Sequence, residues 1–277
     1  MKNTFKKFAT VTFAAGLLAG AFAPSVHAAK EFEGQKVKVG VVGDADKELW
    51  EFVAEKAKND EGIEIEVVNF SDYNQVNPAT EDGSLDLNAF QHIIFLNEWN
   101  KANKGDLVSL GFTIVEPLGL YSEKVKKVDE LKEGAKIAIP NDPTNQGRAL
   151  LTLEQAGLIE VDDAKGILAS VKDVTKNDKK LVFEELEASQ TARSLKDVDA
   201  AVINGNYAAD SGLTVKDAVF VDVSDKTKIK DDYKNIIAAK GDQKDNKLYK
   251  KVVEVYQTDE VAKKIEELSK NSKIPVW

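Results

Sequence analysis

Cysteine is absent from all 277 residues. No disulfide, thiolate metal site or cysteine nucleophile is open to this chain. Histidine is almost absent: His27 and His92 are the two. So few imidazoles without a thiolate do not make a zinc site of the usual kind, and the acids lack calcium-loop spacing. Gly40 and Gly43 do not have the spacing of a glycine-rich nucleotide fingerprint. A Gly-x-Ser-x-Gly nucleophile elbow is missing too. With no nucleophile, metal set or acid–base pair standing out, neither an enzyme nor a resident cofactor or metal is expected. Arginine is scarce: of 38 basic residues only Arg148 and Arg193 are arginine. Methionine occurs once, at Met1.

Apolar residues make up 43% of the chain and charged residues 31%, enough for sizeable cores under a solvated surface. The first residues read as a targeting segment. Lys2, Lys6 and Lys7 precede an apolar run over residues 8–23, and Val26-His27-Ala28 carries tolerated residues for cleavage. The run is short for a membrane span, and no second stretch of about 20 apolar residues exists. Leu18-Ala19-Gly20 is followed by Ala21 where a lipid-bearing cysteine belongs in a lipobox. A signal over residues 1–28, cleaved after Ala28, is expected to release a protein without a lipid anchor into the periplasm or outside the cell. That loss removes three Lys and no acid, taking the formal charge from −9 to −12. An acidic mature chain argues against nucleic acid or an anionic membrane as partner.

Periodicity orders the rest. Residues 37–42 and 63–70 alternate as strands around an amphipathic helix over residues 46–58. Residues 71–84 are loop-like, with room for a short helix. Residues 107–121 are strand-like, broken by Gly111, Pro117 and Gly119. A second series follows: a strand over 136–140, a helix over 144–156 stopped by Gly157, and strands over 181–186, 200–203, 218–223 and 234–239. Residues 247–270 are helical, with a break near Thr258. Strands alternating with helices predict parallel α/β sheets. Two such series predict two lobes with a ligand cleft between them, residues 29–117 with 230–277 forming one and residues 118–229 the other. Polar loops beyond strand ends are where ligands sit in such sheets.

Several residues there have suitable chemistry. Arg148 lies on the segment Ile139-Pro140-Asn141-Asp142-Pro143-Thr144-Asn145-Gln146-Gly147-Arg148, which runs from a strand into a helix. Asn141, Asp142 and Thr144 are each suited to cap that helix, whose first N–H groups favour anions. Asn145 and Arg148 share a helix face and match a ligand carboxylate; the same stretch also fits a helix capped for structure alone. His92 has Phe90, Phe95 and Trp99 near it in sequence and Tyr73 upstream, a group that fits a core as well as a ligand box. Asn204-Gly205-Asn206-Tyr207 puts polar amides at a strand end, as either a binding loop or a turn.

Three of these stretches carry a resemblance: residues 83–92 (Gly-Ser-Leu-Asp-Leu-Asn-Ala-Phe-Gln-His), residues 139–150, and residues 197–208 (Asp-Val-Asp-Ala-Ala-Val-Ile-Asn-Gly-Asn-Tyr-Ala). With weaker similarity from Lys36 to the end, the chain resembles the methionine-binding lipoproteins of ABC importers, the NlpA type. The resemblance implies a monomer of two α/β lobes closing on methionine, delivered to an ABC permease and its ATPase. It implies an apolar-aromatic box at Tyr73, Phe90, His92 and Phe95. It implies a polar end in which Arg148 takes the carboxylate and Asn145 and Asn204 hold the backbone groups, with Asn141 and Tyr207 in second rank. The chain departs from the pattern at Ala21, at Gln75-Val76-Asn77-Pro78 where the family usually has Gln-Pro-Asn, and at Ile93-Ile94-Phe95 where it usually has Pro followed by Tyr. The last change leaves the ligand open between L- or D-methionine, a methionine-containing dipeptide and another apolar amino acid.

Overall fold

The computed structural model describes residues 30–223 and 231–277. The expected signal, its cleavage at Ala28, Ala21, and the lobe boundary at residues 229–230 lie outside the described residues.

The chain opens with β1 (Lys36–Val42), α1 (Asp44–Glu61) and β2 (Glu64–Phe70). Leu49, Trp50, Val53 and Ala57 fall on one face of α1 and are buried. Gly62, left-handed at φ 77°, ends the helix and lets its N–H reach the Ala57 and Lys58 carbonyls. Next come α2 (Val76–Glu81), β3 (Leu87–Asn88), α3 (Ile93–Asn103), β4 (Leu107–Phe112) and β5 (Ile114–Val115). The second series is β6 (Gly119–Tyr121), β7 (Lys136–Pro140), α4 (Pro143–Gln155), β8 (Glu160–Val161), β9 (Val174–Lys176) and β10 (Val182–Leu186). It continues with α5 (Ala188–Thr191), β11 (Ala200–Ile203), α6 (Gly205–Asp210) and β12 (Phe220–Val221). The chain closes with β13 (Ile236–Lys240), α7 (Lys247–Tyr256), α8 (Asp259–Leu268) and β14 (Ile274–Pro275). The break between α7 and α8 falls at Thr258, whose hydroxyl caps α8.

These strands form two five-stranded sheets, ordered β2-β1-β3-β13-β4 and β10-β7-β11-β6-β12. Each anchors one lobe of a two-lobed α/β fold of the periplasmic-binding-protein kind. The sheets are mixed, which corrects the parallel expectation. β1 runs parallel to β2 and β3, and β7 parallel to β10 and β11. β13 is antiparallel to β3 and β4, and β6 to β11 and β12. The reversed strands are those that enter a sheet straight from the other lobe: β6 after the first crossing and β13 after the second.

The two crossings are tied to each other. The Asn235 N–H donates to the Ile114 carbonyl at 2.7 Å, and the Asn235 carbonyl accepts from the Thr113 N–H at 2.8 Å. The Leu118 N–H donates to Asp222 Oδ1 at 2.8 Å. β14 pairs antiparallel with β5 and braces the first crossing.

Each lobe has its own core, one around Trp50, Val39 and Tyr256, the other around Leu120, Ile139 and Leu150. A third buried cluster mixes the lobes: Val42, Tyr73, Phe90 and Phe95 of the first pack with Tyr121, Ala138, Ile203 and Tyr207 of the second. The lobes are therefore in contact across the cleft.

Candidate functional site

The cleft narrows to a small cavity lined from both lobes. One side is aromatic. Tyr73 comes from the turn after β2, which Asp72 caps by accepting from the Asn74 N–H. Phe90 and His92 come from the loop after β3, and Phe95 from the first turn of α3. Ring centroids lie 5.6 Å apart for Tyr73–Phe90, 5.8 Å for Phe90–Phe95 and 6.1 Å for Tyr73–Phe95, within the range of favourable aromatic pairs. Behind this wall a buried amide network fixes the loop: the Gln91 and Asn77 side chains bond each other, and the Asn88 amide donates to Thr80 Oγ1 at 2.8 Å.

His92 caps α3. Its Nδ1 accepts from the Phe95 N–H at 3.1 Å, so the proton of the neutral ring sits on Nε2, which faces Asn145 Oδ1 at 3.4 Å. Burial, with the nearby Arg148 charge adding to it, pushes the His92 pKa down to about 3. The imidazole is thus a neutral donor at ordinary pH.

The opposite side is polar and comes from lobe 2. Asp142 caps α4 through Oδ1, which accepts from the Asn145 N–H at 3.0 Å, with Pro143 at the first helical position. A Cβ on Gly147 would stand 1.9 Å from the Ile167 carbonyl oxygen, so only glycine lets α4 seat this deeply. The Asn145 amide nitrogen donates to both Asp142 carboxylate oxygens, at 3.1 and 3.0 Å. That orientation turns Asn145 Oδ1 outward, where it accepts from Asn204 Nδ2 at 2.8 Å. The Asn204 amide is thereby oriented in turn. Its Oδ1 is buried and has no hydrogen-bond partner among the described residues. Asn204 stands at the N-cap of α6 yet makes no capping bond with its side chain, which lines the cavity instead. An N-cap asparagine ordinarily uses that oxygen on its own helix; here the acceptor is held open.

Arg148 is buried at 4% side-chain exposure and is already paired. Its Nε donates to Asp222 Oδ2 at 2.6 Å, its Nη2 donates to the Glu116 carbonyl at 2.8 Å, and its guanidinium lies 4.5 Å from the Tyr233 ring centroid. The Asp222 carboxylate neutralises the charge without occupying Nη1. A carboxylate entering the cavity meets a preset donor rather than a bare cation.

Of the residues singled out in the sequence, Tyr73, Phe90, His92, Phe95, Asn145, Arg148 and Asn204 line this one cavity. Asn141 does not. Its side chain is exposed and donates to Glu187 Oε1 at 3.1 Å, because Asp142 rather than Asn141 takes the helix cap. Tyr207 stands behind the wall: its ring packs 4.9 Å from that of Tyr73, and its hydroxyl donates to the Ser71 carbonyl at 3.3 Å. Arg193 is exposed. Gln91, Glu116, Leu118, Gly205 and Asn235 also line the cavity, and sequence reasoning did not single them out. A larger crevice lies on the other side of Glu116, lined by Leu213, Ile265 and Leu268. It holds buried polar groups of its own, Lys273 paired with Asp46 and Glu116 and Ser272 Oγ without a partner among the described residues, but none of the site residues singled out in the sequence lines it. Among the described residues no group of three or more His, Cys, Asp or Glu is placed to hold a metal ion, and no helix is long and apolar enough to cross a membrane.

Comparison with known proteins shows the family and the fold. The model of the NlpA lipoprotein family matches residues 37–277. The chain is 41% identical over 280 residues to the D-methionine-binding lipoprotein MetQ of Escherichia coli (strain K12), covering 100% of both. Among solved structures, a nutrient binding protein from Burkholderia cenocepacia bound to methionine superposes with a TM-score of 0.82 at 41% identity, over 87% of this chain and 100% of that one. The substrate binding protein of a methionine transporter from Streptococcus pneumoniae superposes with a TM-score of 0.81 at 42% identity, over 87% and 96%. The chain belongs to the NlpA lipoprotein family.

Proposed function

We propose that this protein is an extracytoplasmic solute-binding protein that closes on free methionine and delivers it to an ABC permease with its ATPase. The observation that carries the reading is Asn204 Oδ1, a buried acceptor without a partner among the described residues, held open beside Arg148. An unmet buried acceptor costs about 1–3 kcal/mol, and a ligand ammonium satisfies it. Arg148 Nη1 and the His92 Nε2–H complete a polar end for a zwitterion, with Asn145 orienting the other groups. Tyr73, Phe90 and Phe95 surround the side chain. Binding by the methionine-named relatives supports the same ligand class. The protein carries out no reaction in this reading. It acts as a monomer released after cleavage at Ala28, since Ala21 has no thiol to bear a lipid; mass spectrometry of the exported protein is expected to find Ala29 first.

The test is calorimetry and a thermal-shift panel on protein stripped of ligand, with L-methionine, D-methionine, glycyl-methionine and other amino acids. A ligand at 100 times its dissociation constant adds about 2.7 kcal/mol of stability. Flat melting curves across the panel would rule the reading out.

A further inference from the structure

Helix α1 is the longest helix of lobe 1, and it has no cap of its own. Its N-cap is Gly43, at φ 96°, which has no side chain to accept from the first N–H groups. The acceptor comes from the other lobe. Asp210, at the end of α6, takes the N–H of Asp44 at 3.1 Å and reaches that of Ala45 at 3.5 Å through Oδ1. A Cβ on Gly43 would stand 2.6 Å from Asp210 Oδ2, so the glycine is also what admits the carboxylate. Elsewhere on α6, Asn206 accepts from the Tyr73 hydroxyl and donates to the Val42 carbonyl at 3.2 Å. One six-residue helix thus grips the end of β1, the start of α1 and the turn after β2. The residue at its head is Asn204, whose free oxygen faces the cavity.

We infer that α6 is the latch of lobe closure, with Asp210 and Asn206 acting as positioning residues that hold Asn204 against the ligand. The inference rests on the ligand reading above and deepens it. The ligand contact and the interlobe bonds lie at opposite ends of one short rigid element, so each favours the other. In an open protein α1 is uncapped and Asp210 is solvated. Closing satisfies both, and the negative charge meets the positive end of the α1 dipole. Asp210 sits at an exposed edge, so its effect is modest and belongs to the closed state.

The experiment compares wild type, Asp210→Ala and Asp210→Asn. Release of methionine is followed by stopped flow, melting is measured with and without ligand, and the interlobe distance is measured by spin labels. The absence of cysteine makes labelling at Lys101→Cys and Lys132→Cys clean. Asp210→Ala is expected to release ligand about five- to tenfold faster, to leave the melting temperature of the stripped protein unchanged, and to lower the closed fraction. Asp210→Asn keeps an acceptor oxygen and is expected to restore most of the difference. Equal release rates, or a stripped protein that melts as much lower as the liganded one, overturn the latch and leave the ligand reading standing. If wild type binds none of the panel, the ligand reading falls, and the ligand-free distance distribution decides the latch. A smaller closed population in Asp210→Ala then supports it, and identical distributions overturn it.

Discussion

Lobe 1 brings Tyr73, Phe90, His92 and Phe95 to the cavity, while lobe 2 brings Asn145, Arg148 and Asn204. The two sets are prepared differently. The aromatic side is held by packing and by an amide network behind it, and its Phe90 and Phe95 rings offer the cavity apolar surface. The polar side is held by a directed chain, from Asp142 through Asn145 to Asn204, and by the Arg148–Asp222 pair. Apolar burial of a methionine-sized side chain contributes about 1.5–3 kcal/mol, and each sulfur–aromatic contact about 0.3–1.5 kcal/mol. Neither is specific for an amino acid. Recognition therefore falls mainly to lobe 2, where the Arg148 donor and the Asn204 acceptor are set in advance, with the His92 Nε2–H of lobe 1 beside them. The lobes differ as a compliant wall differs from a preset template.

The largest effect should come from breaking the template at its charge pair. Asp222→Ala leaves the Arg148 guanidinium buried without its carboxylate, and removing one partner of such a pair costs about 3–5 kcal/mol. Calorimetric melting of the stripped protein should fall by about 2–4 °C for each kcal/mol lost. An unchanged melting temperature would mean that the pair is solvated. Arg148→Ala carries the same penalty from the other side, so its loss of binding cannot be read apart from stability.

Asn204→Ala isolates recognition. It removes the open acceptor while leaving the Arg148–Asp222 pair intact. A hydrogen bond to a charged group contributes about 1.5–3 kcal/mol, so methionine affinity should drop roughly 10- to 150-fold in calorimetry. The stripped protein should melt within a degree or two of wild type. Unchanged affinity would take the ammonium away from Asn204.

Much of this division was legible in the chain, and the parts that were not have physical reasons. The spacing of Leu49, Trp50, Val53 and Ala57 predicts α1, and the Asp142–Gly157 punctuation predicts α4, because caps and amphipathic faces are local. Asn145 and Arg148 on one face follow from the helix period alone. By contrast, α3 begins Ile93-Ile94-Phe95-Leu96 with no clear polar face, and α6 is a single short turn-like helix after a buried strand. Residues 218–223 yield only the two-residue β12, since their pairing depends on β6. Asp222, Tyr233 and Asn235 were invisible as site residues because their partners are set by the second crossing; Arg148 and Asp222 are 74 positions apart. The acid between Val221 and Val223 was the one local signal, as a strand seldom buries a carboxylate unpaired. Asn141 and Tyr207 went the other way, being close in sequence to residues that line the cavity while their own side chains point elsewhere.

His92 stands where the two sides meet, and its protonation tests the join. Its unfolded pKa is near 6.5 and its folded value about 3, so the fold binds the neutral form. Above about pH 6.5 both states are neutral and the full stability is present. As pH falls from there toward 3, only the unfolded state takes the proton, and stability falls by about 1.4 kcal/mol per pH unit from this group. His92→Asn keeps a capping acceptor for α3 and does not titrate. The difference between wild type and His92→Asn in urea denaturation should therefore shrink as pH falls across that window. Parallel curves would place the imidazole in solvent.

The smallest effect is expected on the compliant side. Phe95 borders both the main cavity and a small surface pocket lined by Asp72, Asn74, Asp142 and Glu187. Phe95→Tyr adds the hydroxyl that the family usually carries here. The second pocket offers acceptors for it, so the ring need not move into the cavity. Methionine affinity should change by less than about fivefold, within about 1 kcal/mol. A much larger gain would show that the wall also recognises polar atoms, and the contrast between a wall and a template would fail. A matching loss for methionine, with a gain for a smaller apolar amino acid, would make Phe95 the residue that sets side-chain size.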